Sequence, residues 1–307
     1  LDFFNADQLR HGSLDQRERA EHFLKEEFDH TAERYKALNE MVDLPALIDH
    51  LICQIYQGKV DWPRRNYFSV IRHGTKAQLY FGPWDSETGF YHKQIASGIR
   101  DQNALEFSPM GTHTMLIDHH GPGLWLKHLS QSEEFRLQFA DRLHALTSTG
   151  GLSPQAGSTR YRNLLNEVTP LLFAESARWG DACRKEPYLP YGKEWDEITA
   201  PESWLFSLFF PNRPDALKEH FREHQLWPDL DPPRATVGEK GRIWLTNPNT
   251  RGIIVFTIDG TDPRTRWTNK PRGKAFREPI EVAEKATVSA RVLSHRKWSP
   301  IMVFTLK

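Results

Sequence analysis

Apolar positions in the first forty residues recur at helical spacing. Leu14, Ala20, Phe23, Leu24, Phe28, Tyr35 and Leu38 predict one long amphipathic helix over 13–41, with Ser13 and Gln16 placed as a capping box. Residues 43–57 repeat the period. Asp43 stands as a cap, Pro45 suits a first turn, Leu44, Leu47, Ile48, Leu51, Ile52 and Ile55 form the apolar face, and Gly58 is a stop. The period then falls to two. YFSVIRH (67–73) and AQLYFG (77–82), rich in aromatic and β-branched residues and separated by Gly74-Thr75-Lys76, predict a β-hairpin.

From residue 123 the helical period returns in LWLKHLSQ, SEEFRLQFADRLHALTS, SPQAGSTRYRNLLNEVTPLLFAESARWG, KEWDEITAPESWLFSLFF and PDALKEHFREHQL. Gly150-Gly151 is a stop, Ser153-Pro154 a start, and Pro170 predicts a kink or a division. Residues 228–241, with three Pro and two Gly, read as a linker. After it RIWLTN, GIIVFTID, PIEVA, ATVSARVL and PIMVFTL alternate as short strands between turn residues, the pattern of a small β-sandwich. The class is α+β, with one domain over 1–233 and a second over 234–307.

Charge divides at the same place. The 307 residues balance at 40 basic and 40 acidic, yet residues 228–307 hold 15 basic against 8 acidic side chains, leaving 25 against 32 before them. The two Cys, Cys53 and Cys183, are too few for a disulfide framework or a thiolate zinc site. No apolar run approaches the ~20 residues of a membrane helix. The opening LDFFNADQLRHG has no initiator Met and no signal segment, so the chain reads as a piece of something longer.

The candidate chemistry lies in GKVDWPRRNYFSVIRHGTKAQLYFGPWDSETGF, residues 58–90. Asp61 is followed five positions later by Asn66, then by the hairpin, and Asp85 stands just past its second strand. Protein-kinase-type phosphoryl transfer uses this order: an Asp that takes the hydroxyl proton, an Asn on Mg²⁺, and an Asp beyond a hairpin that bridges metal to phosphate. Mg²⁺ prefers hard oxygen donors, which suits Asp and Asn. Glu87 adds a carboxylate two residues on. The same spacing also fits a turn residue between helix and strand.

GKVDWPRRNYF, LYFGPWDSETGF and AESARWGD, with SEEFRLQFADRLHALTSTGGLSP and WLFSLFFPNRPDALKEHFREHQLWPDLDPP around them, resemble the CotH (spore coat protein H) kinase family over most of residues 1–233. That resemblance implies a mostly helical, atypical protein-kinase-like C-lobe and Mg²⁺- and ATP-dependent phosphorylation of protein Ser or Thr in an extracellular or cell-surface setting. Asp61 would be the catalytic Asp, Asn66 and Asp85 the Mg²⁺ ligands, and Glu87 auxiliary. Lys59-Val60 replaces the usual His-Arg, and Glu87 replaces a second Asp. No Gly-rich loop or strand Lys precedes Asp61, which places the nucleotide-covering lobe before residue 1.

Residues 251–307, through Asp259-Gly260-Thr261-Asp262-Pro263, EPIEV, ATVSARV and KWSP, resemble the chitobiase/β-hexosaminidase C-terminal domain, an immunoglobulin-like sandwich. Arg264, Arg266, Lys270, Arg272, Lys274 and Arg277 read as one solvated loop open to an anionic cell-surface polymer, and Trp267 and Trp298 as core or sugar-stacking residues. Nucleic acid is not expected as a partner. Two other functions stay open. One is a non-catalytic surface or adhesion protein; the other is a zinc hydrolase through the H-x-x-E-H of His220 and His224. His119-His120 reads as a loop pair, and Glu175 with Arg178 as a buried pair under Trp179.

Overall fold

The computed structural model describes residues 1–58, 62–63, 65–73, 77–86, 89–90, 121–183, 200, 203, 205–283 and 285–306. These fall into two compact units. The first holds the described residues up to Gly89, those from Gly121 to Ala145 and those from Glu219 onward; the second holds Phe90 and those from Leu146 to Lys218.

The N-terminal strands of the first unit are β1 (Asp2–Asn5), β2 (Gln8–His11), β3 (Tyr67–Ile71) and β4 (Leu79–Pro83), in the antiparallel order β2-β1-β3-β4. The hairpin expected at 67–82 is β3 with β4, in register from Tyr67 opposite Pro83 to Ile71 opposite Leu79. The β1–β2 hairpin precedes the first helix, in residues to which the sequence pattern assigned no element. Its strands are four residues each, too short for periodicity to register, and β1 is fixed by pairing with the distant β3.

The single helix expected over 13–41 is instead α1 (Asp15–His22), a wide turn over Phe23–Glu27, and α2 (Ala32–Met41). Local polar chemistry makes the break. The Asp29 carboxylate accepts from the Thr31 N–H and hydroxyl at 3.1 and 2.7 Å, His30 takes a left-handed φ of 65°, and Thr31 then caps α2 by accepting from the Arg34 N–H. Ser13 accepts from the Asp15 N–H, while Leu14 holds the cap position without a side-chain bond, so no capping box forms.

Helix α3 (Leu44–Gln57) follows the sequence. Asp43 accepts from the Ala46 N–H at 2.9 Å, and Gly58 ends the helix at φ 68°, a conformation that costs glycine little. Its apolar face and α4 (Gly121–Leu129) cover the sheet, where the Phe81 ring meets His50, Tyr67 and Trp125 at centroid distances of 6.2, 6.0 and 6.1 Å.

Helix α5 (Glu133–Ser148) is capped by Ser132. In the second unit α6 (Pro154–Cys183) starts on the Ser153 cap and runs unbroken through Pro170, so the expected division does not occur. Glu175 and Arg178 are exposed on α6, which removes the expected buried pair. Phe90, Tyr161, Phe206, Phe209 and Phe210 form the aromatic core of this unit. Helix α7 (Phe210–Glu223) contains Pro214 near its start.

The C-terminal strands lie in the first unit. β5 (Arg234–Val237) pairs with β6 (Ile243–Thr246), and β8 (Arg264–Thr265) with β9 (Lys270–Pro271). β7 (Ile253–Thr257) lies between β10 (Lys274–Ala275) and the eight-residue β11 (Thr287–Ser294), whose other edge takes β12 (Lys297–Trp298) and β13 (Met302–Thr305). All these pairs are antiparallel. Ile243 and Leu245 pack with Ile254, Val288, Ala290 and Val292 in a core of their own. Of the expected strands only PIEVA shrinks, to one bridge at Ile280. The architecture is mixed α+β.

The segment expected as a linker is folded. Leu230 is 2 % exposed within that β core, the Asp231 N–H and carbonyl are both bonded by the Asn249 amide at 2.8 and 2.9 Å, and β5 begins at Arg234. Its prolines limit the backbone without freeing it.

Candidate functional site

Two buried aromatics hold the ends of the segment carrying the candidate residues. Trp62 is 1 % exposed and donates its indole N–H to His50 Nε2 of α3 at 3.3 Å; Tyr67, fully buried, opens β3. The Tyr67 hydroxyl donates to Asp7 at 2.6 Å. Asp7 in turn is paired with Arg17, which also donates to the Ala6 carbonyl and to Glu21, each at 2.9 Å. Burial pushes the Tyr67 phenol well up, and the Asp7 charge adds to that. Arg17 is raised as well: burial works against its charge, but Tyr67, Glu21 and Asp7 outweigh it. This network ties the β1–β2 turn, α1 and the start of β3 together.

Asn66 stands between those anchors and Asp85 lies two residues past β4. The register that sets Tyr67 opposite Pro83 continues outward, with the Trp84 N–H donating to the Asn66 carbonyl at 3.2 Å. The hairpin therefore brings Asn66 and the Trp84-Asp85 segment to one mouth of the sheet. Both residues have left-handed backbones, φ 60° at Asn66 and 52° at Asp85. Asn and Asp tolerate that region better than most residues, yet such φ values persist only where the surroundings hold them. Asp85 is exposed and Asn66 half-buried. Asp61 and Glu87 lie outside the described residues, as do Lys59-Val60, His119-His120 and the segment 184–199.

Sequence reasoning missed the anchors. Asp7 and Arg17 are far from the motif in sequence and belong to no recognisable spacing. The aromatic residues beside Asp61 and Asn66 were a usable signal, since a Trp or Tyr adjoining a polar loop residue is a common way to pin it.

His220 and His224 stack at 4.9 Å between ring centroids on the last turn of α7 and beyond it, with Glu223 near His220. Among the described residues no group of three His, Cys, Asp or Glu is placed to hold a metal, so the H-x-x-E-H run has no third ligand there. A cleft of about 500 Å³ lies elsewhere, lined by Arg136, Leu137, Arg222, Trp227, Lys297 and Trp298, and contains none of the candidate site residues.

In the basic loop Lys270, Arg272, Lys274 and Arg277 are exposed as expected, and Arg264 is the departure. Arg264 is 4 % exposed and both Arg264 and Arg266 are paired with Glu134 of α5; Trp298 is buried against Leu137 and Val255, and Trp267 packs edge-on against Tyr35 at 5.2 Å. The opposite charge on α5 claims the two arginines that the sequence left to solvent, while Trp298 takes its expected place in a core.

The antiparallel hairpin, packed under helices α3 and α4 and with Asn66 and Asp85 flanking one end, belongs to a mixed α+β protein. The family described as CotH kinase protein matches residues 10–197, and the chain belongs to that family. No curated protein and no solved structure matches it. Among the described residues no helix is long and apolar enough to cross a membrane.

Proposed function

We propose that the chain is the metal-binding part of a CotH-type kinase that transfers phosphate from ATP, with Mg²⁺, to a Ser or Thr hydroxyl of a protein, in an extracellular or cell-surface setting. The observation that supports this most is the convergence of Asn66 and the Trp84-Asp85 segment at one hairpin mouth, both candidate residues held in left-handed backbone. An amide oxygen and a carboxylate are the donors Mg²⁺ takes, and the exposed Asp85 leaves its carboxylate free of a structural ion pair among the described residues.

Asn66 and Asp85 would hold the ion, which when bound would neutralise phosphate charge. Asp61, five residues before Asn66, would orient the acceptor hydroxyl and take its proton, and Glu87 would add a carboxylate. Trp62, next to Asp61, and Tyr67, next to Asn66, act as positioning residues that anchor the chain beside each of them. In the same reading residues 1–233 form the kinase-like domain, and residues 234–307 an immunoglobulin-like accessory sandwich of the chitobiase C-terminal type.

The test is ATP-dependent phosphate incorporation by the protein, with and without Mg²⁺, for wild type, Asp61→Ala, Asn66→Ala and Asp85→Ala. Loss of a metal ligand or base should lower incorporation by about 10²-fold or more. Equal incorporation by all variants would remove the assignment. No incorporation by wild type would favour the alternative, a surface protein that keeps the fold without turnover.

A further inference from the structure

The C-terminal strands present three arginines to one face of helix α5. Glu134, Leu137 and Asp141 are spaced three and four residues apart, so they share that face. Glu134 receives Arg264 on both carboxylate oxygens at 2.9 and 2.8 Å and Arg266 at 2.8 Å. Asp141 receives Arg291 at 2.7 and 2.6 Å and the Ile301 N–H at 2.8 Å. Arg291, 1 % exposed, also grips Asp262 through two bonds at 2.7 and 2.8 Å. Leu137 between the two acids packs on Val255 and Trp298. Glu134, Arg264 and Arg291 are buried, and buried charges persist only while their partners stay in place.

We propose that this face of the C-terminal strands is an intrachain docking surface for α5, a clasp that closes at neutral pH and opens in acid. It goes beyond the phosphoryl-transfer reading and is independent of it. The partner chemistry is specific: an acidic helix with carboxylates two turns apart and one leucine between them.

The groups around each carboxylate set the sign. Glu134 faces Arg264, Arg266, the Gln138 amide and the Tyr35 phenol. Burial alone would raise its carboxyl, but the two arginines overcome that and hold it below its ordinary 4.5. Asp262 faces Arg291, Arg264 and the Asp141 carboxylate; burial opposes its charge, and Arg291 prevails, holding it below 3.8. Carboxyls depressed in the folded state contribute fully above their ordinary values, and their contribution is lost as pH falls through the folded ones. Burial pushes the Asp141 carboxyl up against the pull of Arg291, so its share runs the other way. The Asp262–Arg291 pair lies within the C-terminal strands and does not cross to α5, so acid release rests on Glu134.

Hydroxyl-radical footprinting of the intact chain from about pH 7 down to about pH 3 tests this, with Trp298, 4 % exposed under Leu137, as reporter and Trp62, 1 % exposed in the sheet core, as control. The expected result is a rise of roughly tenfold in Trp298 oxidation at the acid end while Trp62 stays protected. Glu134→Gln should raise Trp298 oxidation already at neutral pH and flatten its pH dependence, because it removes the acceptor of Arg264 and Arg266 on α5. Trp298 that stays protected throughout, or that opens only together with Trp62, would overturn the clasp. The wild-type titration decides the matter even where a variant fails to fold.

Discussion

The Tyr67 hydroxyl ties the start of β3 beside the candidate site to Asp7, and the space around that hydroxyl is already full. Gly121, the first residue of α4, has φ +54°, and a Cβ there would lie 2.5 Å from the Tyr67 oxygen. Gly121→Ala therefore meets both a disfavoured backbone region and an overlap with a buried ring, and should cost about 2 kcal/mol of stability in a denaturant titration. The spacing of Asp61, Asn66 and Asp85 could be read from sequence because it is local to one hairpin. The Asp7–Arg17–Tyr67 network could not, because Asp7 and Tyr67 are 60 residues apart and meet only when β1 pairs with β3.

Elements with strong boundary chemistry matched their sequence. Helix α3 begins after Asp43, whose carboxylate caps it, and stops at Gly58, whose missing side chain permits the left-handed turn, and α5 stops before Gly150-Gly151. The break between α1 and α2 was hidden by an apolar period that continued across it, although Asp29 and Thr31 carried the turn. Pro170 illustrates the opposite case, a breaker overridden by its surroundings. It sits on the exposed side of α6, cannot bond the Asn166 carbonyl, and follows Thr169, whose hydroxyl caps the Leu165 carbonyl at 2.6 Å. Pro170→Ala should restore the missing bond and raise the thermal midpoint of the helical signal, with a gain of about 1–3 kcal/mol for that helix. An unchanged or lowered midpoint in far-UV circular dichroism would show that the proline is accommodated without cost.

Across the whole molecule the charge asymmetry has a structural destination. The excess of base after residue 227 and the excess of acid before it meet at α5, where Arg264, Arg266 and Arg291 neutralise Glu134 and Asp141. The sequence showed the asymmetry but could not show that these charges face one another, since burial and pairing are properties of the folded chain. The pairs join residues 130 and 150 positions apart. A ribosome adds ~5–20 residues per second, so α5 would emerge roughly 10–30 seconds before Arg291 exists to meet it. During that interval the acidic face and Leu137 stand uncovered in the nascent chain. A chain cut short of Arg291 would leave the Asp141 carboxylate and Leu137 of α5 without Arg291 and Trp298, which cover them in the fold.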